Sequence, residues 1–582
     1  MSSGENKLEE ERSLINDAKN RGPLATLGAY AKLSGPGWLQ SAITLGGGSL
    51  GGSLYLGVLV GFGMMWLQPL AMIMGVVMLS AIAYVTLSTG ERPFGSINKH
   101  INPVLGWSWL IATLLANMVW CMPQFSLGTG AFTQNLFPAL KGSEKFVVAG
   151  LFVLAMAVIW QYNSGNKGVK FFEMLLKILV GIVVISFFGV VIRMTFSEQG
   201  LPWSEIIAGF IPSGNMTGMS PKLADAVSAT GTYSDFWKSQ VLDPQIKTML
   251  TAAATAVGIN MTFLLPYSML RRSWDKDFRG LAIFDLSTGL VIPYILATSC
   301  VVIASASQFH ATPAAGFLGE KDAEGEMVQP AGNLVGGVNG LLDGRLKAEL
   351  GADKFAEQFG GKDRNEEQTA ALTAARESLP ESDIRMAAIL VKRDNQQLAG
   401  ALEGLTGKTV AHFVFGFGVL AMAVSTIIIL MLINGFALCE ALGHEPQSNT
   451  FRVGAMLAGL SGAFGSLFLW GNKEAAAWLV VPTSMFGFAL LPIAYITFFF
   501  MMNSRSLLGD NMPKGMNRVK WNVLMTIATG LAIIGSFVSI YKSNTPKIGF
   551  AVVSTIVIAA LVVHLKGKGS SENNGPETES VT

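Results

Sequence analysis

Residues 35–63 read GPGWLQSAITLGGGSLGGSLYLGVLVGFG, an apolar stretch with three consecutive glycines near its middle. The stretch is long enough to cross a bilayer as a helix, since about 20 residues span the hydrocarbon core. Glycine costs up to ~1 kcal/mol relative to alanine in a helix interior, so residues 46–48 weaken this helix at mid-span. Glycines also allow close packing between membrane helices. With Thr44 before them and Ser49 after them, we expect an unwound segment.

Apolar stretches of similar length recur along the whole chain. Hydrophobic residues make up 51% of 582 residues and charged residues only 14%, whereas about a quarter of a soluble chain is charged. The stretches lie near residues 36–60, 63–89, 104–138, 145–162, 170–193, 248–270, 280–307, 410–442, 451–471, 475–502, 520–541 and 547–565. In hydrocarbon each span must satisfy its own backbone hydrogen bonds, which helices do. We predict an all-α polytopic membrane protein with about twelve spans.

Other classes of protein are poorly supported. Cys121, Cys300 and Cys439 all lie inside apolar stretches without a CxxC pair, which argues against a disulfide framework or a zinc site. The basic residues form no contiguous patch for nucleic acid. HExxH, GxSxG, Walker A and Rossmann motifs do not occur in a fitting structural context. We therefore expect neither an enzyme nor a bound cofactor, and the lipid bilayer and a small transported solute are the expected partners.

The loop charges predict the orientation. Loops that are cytoplasmic if the N-terminus is inside hold Arg92, Lys99, Lys167, Lys170, Arg271, Arg272, Lys276, Arg279, Arg452, Arg505, Lys514, Arg518 and Lys520. The short outer loops hold only Lys141, Lys145, Lys473, Lys542 and Lys547. By the positive-inside rule, we expect both termini in the cytoplasm of a multi-pass protein of the cell (inner) membrane. The expected parts are a cytoplasmic tail (1–34), spans 1–7 (35–307), an extracytoplasmic insert (308–409), spans 8–12 (410–566) and a disordered cytoplasmic tail (567–582).

Two of the predicted outer loops are long, namely residues 194–247 and 308–409. Within the second, residues 383–405 carry apolar side chains at near-helical spacing, which predicts a small helical cap. A role as a gate or a docking surface and a role as a passive insertion are both compatible with this pattern.

The sixth span is the expected counterpart of the first. It contains AVGINMTFLLPYSMLRR, in which Pro266 removes a backbone donor deep in an apolar segment. Asn260, Thr262 and Tyr267 cluster around this proline. Because interrupted helices at matching positions of two halves indicate a midplane substrate site, we predict that spans one to five and six to ten are two repeats.

At these residues the chain resembles the Nramp metal transporters. The similarity is carried by Gly35-Pro36-Gly37, Ser88-Thr89-Gly90, Glu173, Phe284-Asp285-Leu286-Ser287-Thr288, Phe309-His310, Ser425-Thr426, Glu440, Gly487-Phe488-Ala489-Leu490-Leu491-Pro492 and Leu508-Gly509. The resemblance covers roughly residues 34–510 apart from the long outer loops. It implies a leucine-transporter-like inverted repeat of five plus five helices, with about two extra helices at the C-terminus, and transport of divalent metal ions.

The metal ligands of that family do not carry over. Its Asp-Pro-Gly-Asn break in span one corresponds here to residues 46–49, and its Met-Pro-His break in span six to residues 265–267, LPY. Span three has no acidic residue between Glu91 and Glu144. The remaining acidic candidates, Glu173, Asp285 and Glu440, fall near cytoplasmic ends, where we expect them to anchor structure. The chain is therefore a divergent member without a certain metal ligand, and the expected loss of sulfur removes a preference for manganese or iron.

Three functions remain open. The first is a secondary active transporter of divalent cations, of the manganese, iron and magnesium class, working by alternating access. The second is a carrier of an uncharged or zwitterionic organic solute, favoured by the missing carboxylates. The third is a non-transporting sensor. The predicted substrate-binding residues are Thr44, Gly46, Gly47, Gly48, Ser49, Asn260, Thr262, Leu265, Pro266 and Tyr267.

Overall fold

A computed structural model describes residues 3–162, 166–197, 200–212, 218–322, 324–361, 364–393, 397, 399, 408–446, 448–469 and 476–572. This part of the chain is helical apart from turns, loops and one isolated bridge between Lys321 and Met327. The helices are α1 Ser3–Arg21, α2 Pro23–Leu33, α3 Pro36–Thr44, α4 Gly47–Val60, α5 Leu67–Thr89, α6 Pro93–His100, α7 Pro103–Gly130, α8 Glu144–Tyr162, α9 Asn166–Thr195, α10 Trp203–Ala208, α11 Pro221–Ser228, α12 Ser234–Ala254, α13 Ile259–Arg271, α14 Arg279–Leu286, α15 Ile292–Phe309, α16 Gly332–Leu350, α17 Ala352–Phe359, α18 Glu366–Glu377, α19 Glu381–Leu390, α20 Lys408–Leu442, α21 Asn449–Phe464, α22 Val480–Met502, α23 Arg505–Leu508, α24 Gly515–Tyr541 and α25 Pro546–Glu572. Of the tail expected to be disordered, 567–582, residues 567–572 are helical in α25, which differs from the prediction, and residues 573–582 lie outside the described residues.

The described helices account for the twelve predicted spans. Eleven are long and apolar enough to cross a membrane, and α3 with α4 forms one further, bent span. Spans 1 to 12 are α3 with α4, α5, α7, α8, α9, α12 with α13, α14 with α15, α20, α21, α22, α24 and α25. The all-α polytopic fold predicted from hydropathy is confirmed.

Small residues bring span 1 close to span 7. A Cβ atom on Gly57 of α4 would lie 2.0 Å from the hydroxyl oxygen of Ser305 and 2.7 Å from the carbonyl oxygen of Val302, both in α15. These two helices therefore pack backbone against backbone, as glycine allows in membrane helices.

The two long outer loops fold together into one helical cap with its own apolar core. Leu223 and Trp237 of the first loop pack with residues of α16–α19 from the second. Asp383 is buried and accepts hydrogen bonds from the Trp237 indole (2.5 Å) and from Arg345 (3.0 Å). The Arg345 guanidinium also lies 3.1 Å from the ring centroid of Tyr233. Of the segment 383–405 from which a helical cap was predicted, residues 383–390 are helical in α19, residues 391–393 are not, and most of the rest lies outside the described residues. The sequence did not indicate that the first loop completes the cap.

The opposite end of the molecule is held by polar contacts. Arg12 of α1 contacts Asp275 (2.6 Å) and Asp277 (3.2 Å) in the turn after α13. Asp285 accepts hydrogen bonds from the Ser34 hydroxyl and from the amide of Gly37, at the start of α3. A carboxylate there stabilises the N-terminal end of the helix.

Of the other two acidic candidates, Glu440 contacts side chains of the connection between spans 2 and 3 and of span 6, and the Glu173 side chain is not described. Glu440 lies 3.5 Å from Arg92. These contacts agree with the anchoring role expected for Asp285 and Glu440, which stays a prediction, while the side chain of Glu173 in α9 lies outside the described part of the chain.

Candidate functional site

Span 1 is broken where its glycine run begins. Helix α3 ends at Thr44, α4 begins at Gly47, and the two axes differ by 54°. Between them Gly46 has an extended backbone, with φ −111° and ψ −177°. An interruption of span 1 is therefore present as predicted, but it lies at Leu45 and Gly46, and Gly47 and Gly48 form the first turn of α4.

Side chains from spans 3 and 8 form hydrogen bonds and close contacts with the residues at this break. The amide of Gly47, the first of α4, donates a hydrogen bond of 2.8 Å to the side-chain oxygen of Gln124 in span 3. The Ser425 hydroxyl in span 8 donates a hydrogen bond of 3.0 Å to the carbonyl of Ala42. A Cβ atom on Gly46 would lie 2.2 Å from the hydroxyl oxygen of Thr426. Gln124 therefore supplies the capping acceptor that a broken helix needs, and the sequence did not single it out.

Span 6 is also broken, but not at the proline. Helix α12 ends at Ala254 and α13 begins at Ile259, with Gly258 extended between them at φ −89° and ψ 163°. Pro266 lies inside α13, which continues to Arg271. The break expected at residues 265–267 is therefore wrong. A proline removes only one backbone donor, and a membrane helix tolerates this where neighbouring groups pack around it.

The two breaks face each other through Gly48 and Thr255. A Cβ atom on Gly48 would lie 3.0 Å from the Thr255 methyl carbon. Both residues are half-buried, whereas Gly46, Gly47 and Ser49 are buried. The breaks therefore leave a partly accessible point where they meet.

Met261 places a sulfur atom beside the end of α3. The Thr44 hydroxyl lies 3.2 Å from the Met261 sulfur, three residues after Gly258. Residue 265 carries no sulfur, as the sequence comparison indicated, but the structure places a methionine, Met261, at the start of α13. The sequence comparison did not point to Met261 because it aligned residues 265–267, and not the start of α13, with the break that the family has in span six.

The other predicted residues of span 6 differ in their surroundings. Asn260 donates a hydrogen bond of 3.2 Å to the side-chain oxygen of Asn117, and Thr262 accepts one of 2.9 Å from the Trp109 indole. Both lie in the first turn of α13, next to the break. Tyr267 stacks on Phe263 with ring centroids 4.4 Å apart. Leu265, Pro266 and Tyr267 are buried two turns into α13, so the structure does not bring them to the break.

The chemistry of this region is that of neutral donors. Hydroxyls, amides, carbonyls and one thioether surround the breaks, and no group of three or more His, Cys, Asp or Glu in the described residues is placed to hold a metal ion. A divalent ion at this point would therefore find hard neutral oxygens and one soft sulfur, without a carboxylate to balance its charge.

A cavity of about 2130 Å³ lies between the cap and spans 1, 3, 6 and 10. Its walls include Tyr55 of α4, Thr129 of α7, Lys247 of α12 and Val391 of the segment after α19. The Tyr55 hydroxyl donates a hydrogen bond of 2.7 Å to the carbonyl of Arg393, which ties this segment of the cap to span 1. The cap therefore forms part of the cavity wall on its side of the molecule.

Comparisons with solved structures support this architecture. The chain is similar to a manganese transporter of Eremococcus coleocola in complex with an aromatic bis-isothiourea substituted compound, with a TM-score of 0.58 and 14% identity over 92% of this chain and 93% of that chain. A mutant of the same transporter gives a TM-score of 0.57 at 14% identity and the same coverage. These similarities show the fold.

A comparison with models of protein families identifies the family as well as the fold. No curated protein matches the chain. The family model described as natural resistance-associated macrophage protein-like matches residues 37–338 and 374–541, which is most of the chain. Together with two broken spans that meet at the centre of the bundle, this match shows that the chain belongs to the Nramp family.

Proposed function

We propose that this chain is a secondary active transporter that carries divalent metal ions across the membrane by alternating access. Two breaks that meet at Gly48 and Thr255, in a member of the Nramp family, carry this proposal. Broken helices at matching positions of two repeats mark midplane substrate sites in transporters. The family does not favour an organic-solute carrier or a sensor.

The donors around the breaks indicate how such an ion would be held. The candidate donors are the Thr44 hydroxyl and the Met261 sulfur, which lie 3.2 Å apart where α3 ends and α13 begins, with Thr255 and Asn260 at and beside the second break. Neutral donors offset little of the cost of stripping water from a dication, so the ion keeps part of its hydration shell. The thioether favours manganese or iron over magnesium or calcium.

The test is metal entry into proteoliposomes that contain the purified protein and an entrapped metal-sensitive dye. We expect manganese and iron to enter faster than magnesium, and faster than in protein-free liposomes. A panel in which labelled amino acids accumulate while no divalent metal enters would show that the protein carries an organic solute.

We also propose that the cap faces the cell exterior and that both termini are cytoplasmic, which the loop charges support. Ala370 is exposed on α18 of the cap, and Lys514 is exposed at the opposite end of the molecule. A cysteine at position 370 should react with a membrane-impermeant thiol reagent on intact cells, whereas a cysteine at position 514 should react only after lysis. The native cysteines are buried and should add little background. The reverse labelling pattern would invert the orientation.

A further inference from the structure

Gln40 of span 1 is a buried side chain whose polar atoms have no partner in the described part of the chain. It lies in α3, four residues before Thr44, and it is completely buried. Neither its amide oxygen nor its amide nitrogen has a hydrogen-bond partner among the described residues. Such burial is unfavourable, because the amide loses its hydrogen bonds to water and gains none in return.

The other glutamines that are buried in the described residues all form hydrogen bonds. The Gln124 oxygen accepts one at the start of α4. The Gln68 oxygen accepts one of 3.0 Å from the Ser53 hydroxyl, and the Gln245 nitrogen donates one of 2.9 Å to a backbone carbonyl. Among these buried glutamines, Gln40 is therefore the exception.

The neighbouring polar residues of α3 show where Gln40 lies. The Ser41 hydroxyl donates a hydrogen bond to the carbonyl of Gly289 in span 7, and the Thr44 hydroxyl lies 3.2 Å from the Met261 sulfur in α13. Residues four apart share a face of a helix. Gln40 therefore lies on the face of α3 that carries Thr44, one turn further from the cap.

Alternating access requires a path from the breaks to the side of the membrane opposite the cap. In this structure that side is closed at the depth of Gln40, and Asp285 accepts hydrogen bonds at the start of α3. The break at Gly46 separates α3 from α4, so α3 can move by itself. A movement of α3 away from α13 would expose Gln40 to water and to a solute arriving from the breaks.

We propose that Gln40 is the next polar side chain that the transported ion meets beyond the breaks, on the side opposite the cap. The inference rests on the proposed metal transport and adds a residue to its path. The amide oxygen is a hard neutral acceptor, which suits a divalent cation that keeps part of its water shell. The unfavourable burial of the amide in the closed arrangement also promotes the movement that exposes it.

The exposure of this position is tested by cysteine substitution, which does not depend on metal transport. In lipid nanodiscs, Gln40→Cys should react with a small hydrophilic thiol reagent roughly ten times faster than Ala455→Cys, because thiol reactivity follows exposure. Ala455 is buried in span 9, and the unmodified protein, whose three cysteines are buried, gives the background. Labelling no faster than that of Ala455→Cys would overturn the inference.

The effect on transport and stability is tested with Gln40→Leu. Leucine has a similar volume and needs no hydrogen-bond partner, so the melting temperature should rise, whereas Gln68→Leu should lower it by removing a bonded amide. The maximal rate of manganese uptake into proteoliposomes should fall roughly ten-fold while KM stays within about two-fold, because Gln40 acts after the ion has bound.

The outcomes separate this inference from the proposed function. Unchanged uptake by Gln40→Leu, or a lower melting temperature, would overturn the inference and leave metal transport intact. Fast labelling of Gln40→Cys in a protein that admits no manganese would contradict metal transport and leave the path through Gln40 standing.

Discussion

The two broken spans reach the same kind of interruption through different local sequences. In span 1 a run of glycines weakens the helix, and the break lies at Leu45 and Gly46, between α3 and α4. In span 6 the break lies at residues 255–258, in a segment with a single glycine, while the conspicuous Pro266 remains helical. Both breaks contain a glycine, whereas Pro266 stays inside a helix, so a local helix breaker is not sufficient for a break in this bundle.

What the two breaks share is close packing by neighbouring spans. A Cβ atom on Gly47 would lie 2.3 Å from a methyl carbon of Leu127, and one on Gly258 would lie 2.6 Å from the Trp120 ring, both residues in span 3. Span 3 therefore fixes the two breaks together. If this is correct, substitutions should harm transport according to their contact with span 3 rather than their helix propensity.

The largest effect is expected at Gly47. In Gly47→Leu the new side chain would occupy the space of Leu127 and of the Gln124 oxygen that caps α4. We expect transport to fall at least 100-fold while membrane insertion is retained. Gly189→Leu in α9, where nothing lies within 4 Å of a Cβ atom, is the matched control. Normal uptake by the Gly47 variant would mean that the glycine run serves helix packing and is not required for transport.

A second substitution removes the side-chain oxygen that accepts the hydrogen bond at the N-terminus of α4, without adding volume at the break. Gln124→Leu leaves the amide of Gly47 without its acceptor, and a buried unsatisfied donor costs about 1–3 kcal/mol. We expect roughly a ten-fold loss of uptake and a lower melting temperature, whereas Gln124→Glu retains an acceptor and should restore the melting temperature. Equal melting temperatures for Gln124→Leu and the unmodified protein would contradict the capping role.

The third prediction concerns the metal preference that the Met261 sulfur would give. Met261→Ala removes the sulfur beside Thr44, the soft donor at the second break. Manganese uptake should fall about ten-fold and magnesium uptake much less, because sulfur favours the softer ion. Met485→Ala in span 10 is a control that also removes a buried methionine. An equal loss for both metals would assign Met261 to packing alone.

The smallest effect is expected at the proline that the sequence made conspicuous. Pro266 lies inside α13, so Pro266→Ala adds a backbone donor to an existing helix. We expect uptake within three-fold of the unmodified protein and no loss of stability. A severe transport defect in this variant, with normal folding, would show that transport depends on Pro266 and would contradict the placement of the functional break at residues 255–258.

The residues of the candidate site show why it was only partly predictable. Thr44 and the glycines 46–48 were recognised because low helix propensity and polarity are properties of adjacent residues. Gln124 and Met261 were missed because their roles depend on which atoms face them across the bundle. Leu265 and Tyr267 were predicted because they flank Pro266, which was aligned with the break of the family. In the structure they lie about two turns into α13, away from the break.

The sequence by itself determined the membrane environment, the number of spans and the location of the first break, because hydropathy and helix propensity act over short stretches of chain. The packing of the helices determines where span 6 breaks, that the two long loops form one cap, and that the Met261 sulfur lies beside Thr44. These features join residues more than a hundred positions apart. Only the packing of whole helices fixes their distances, so no local pattern could have revealed them.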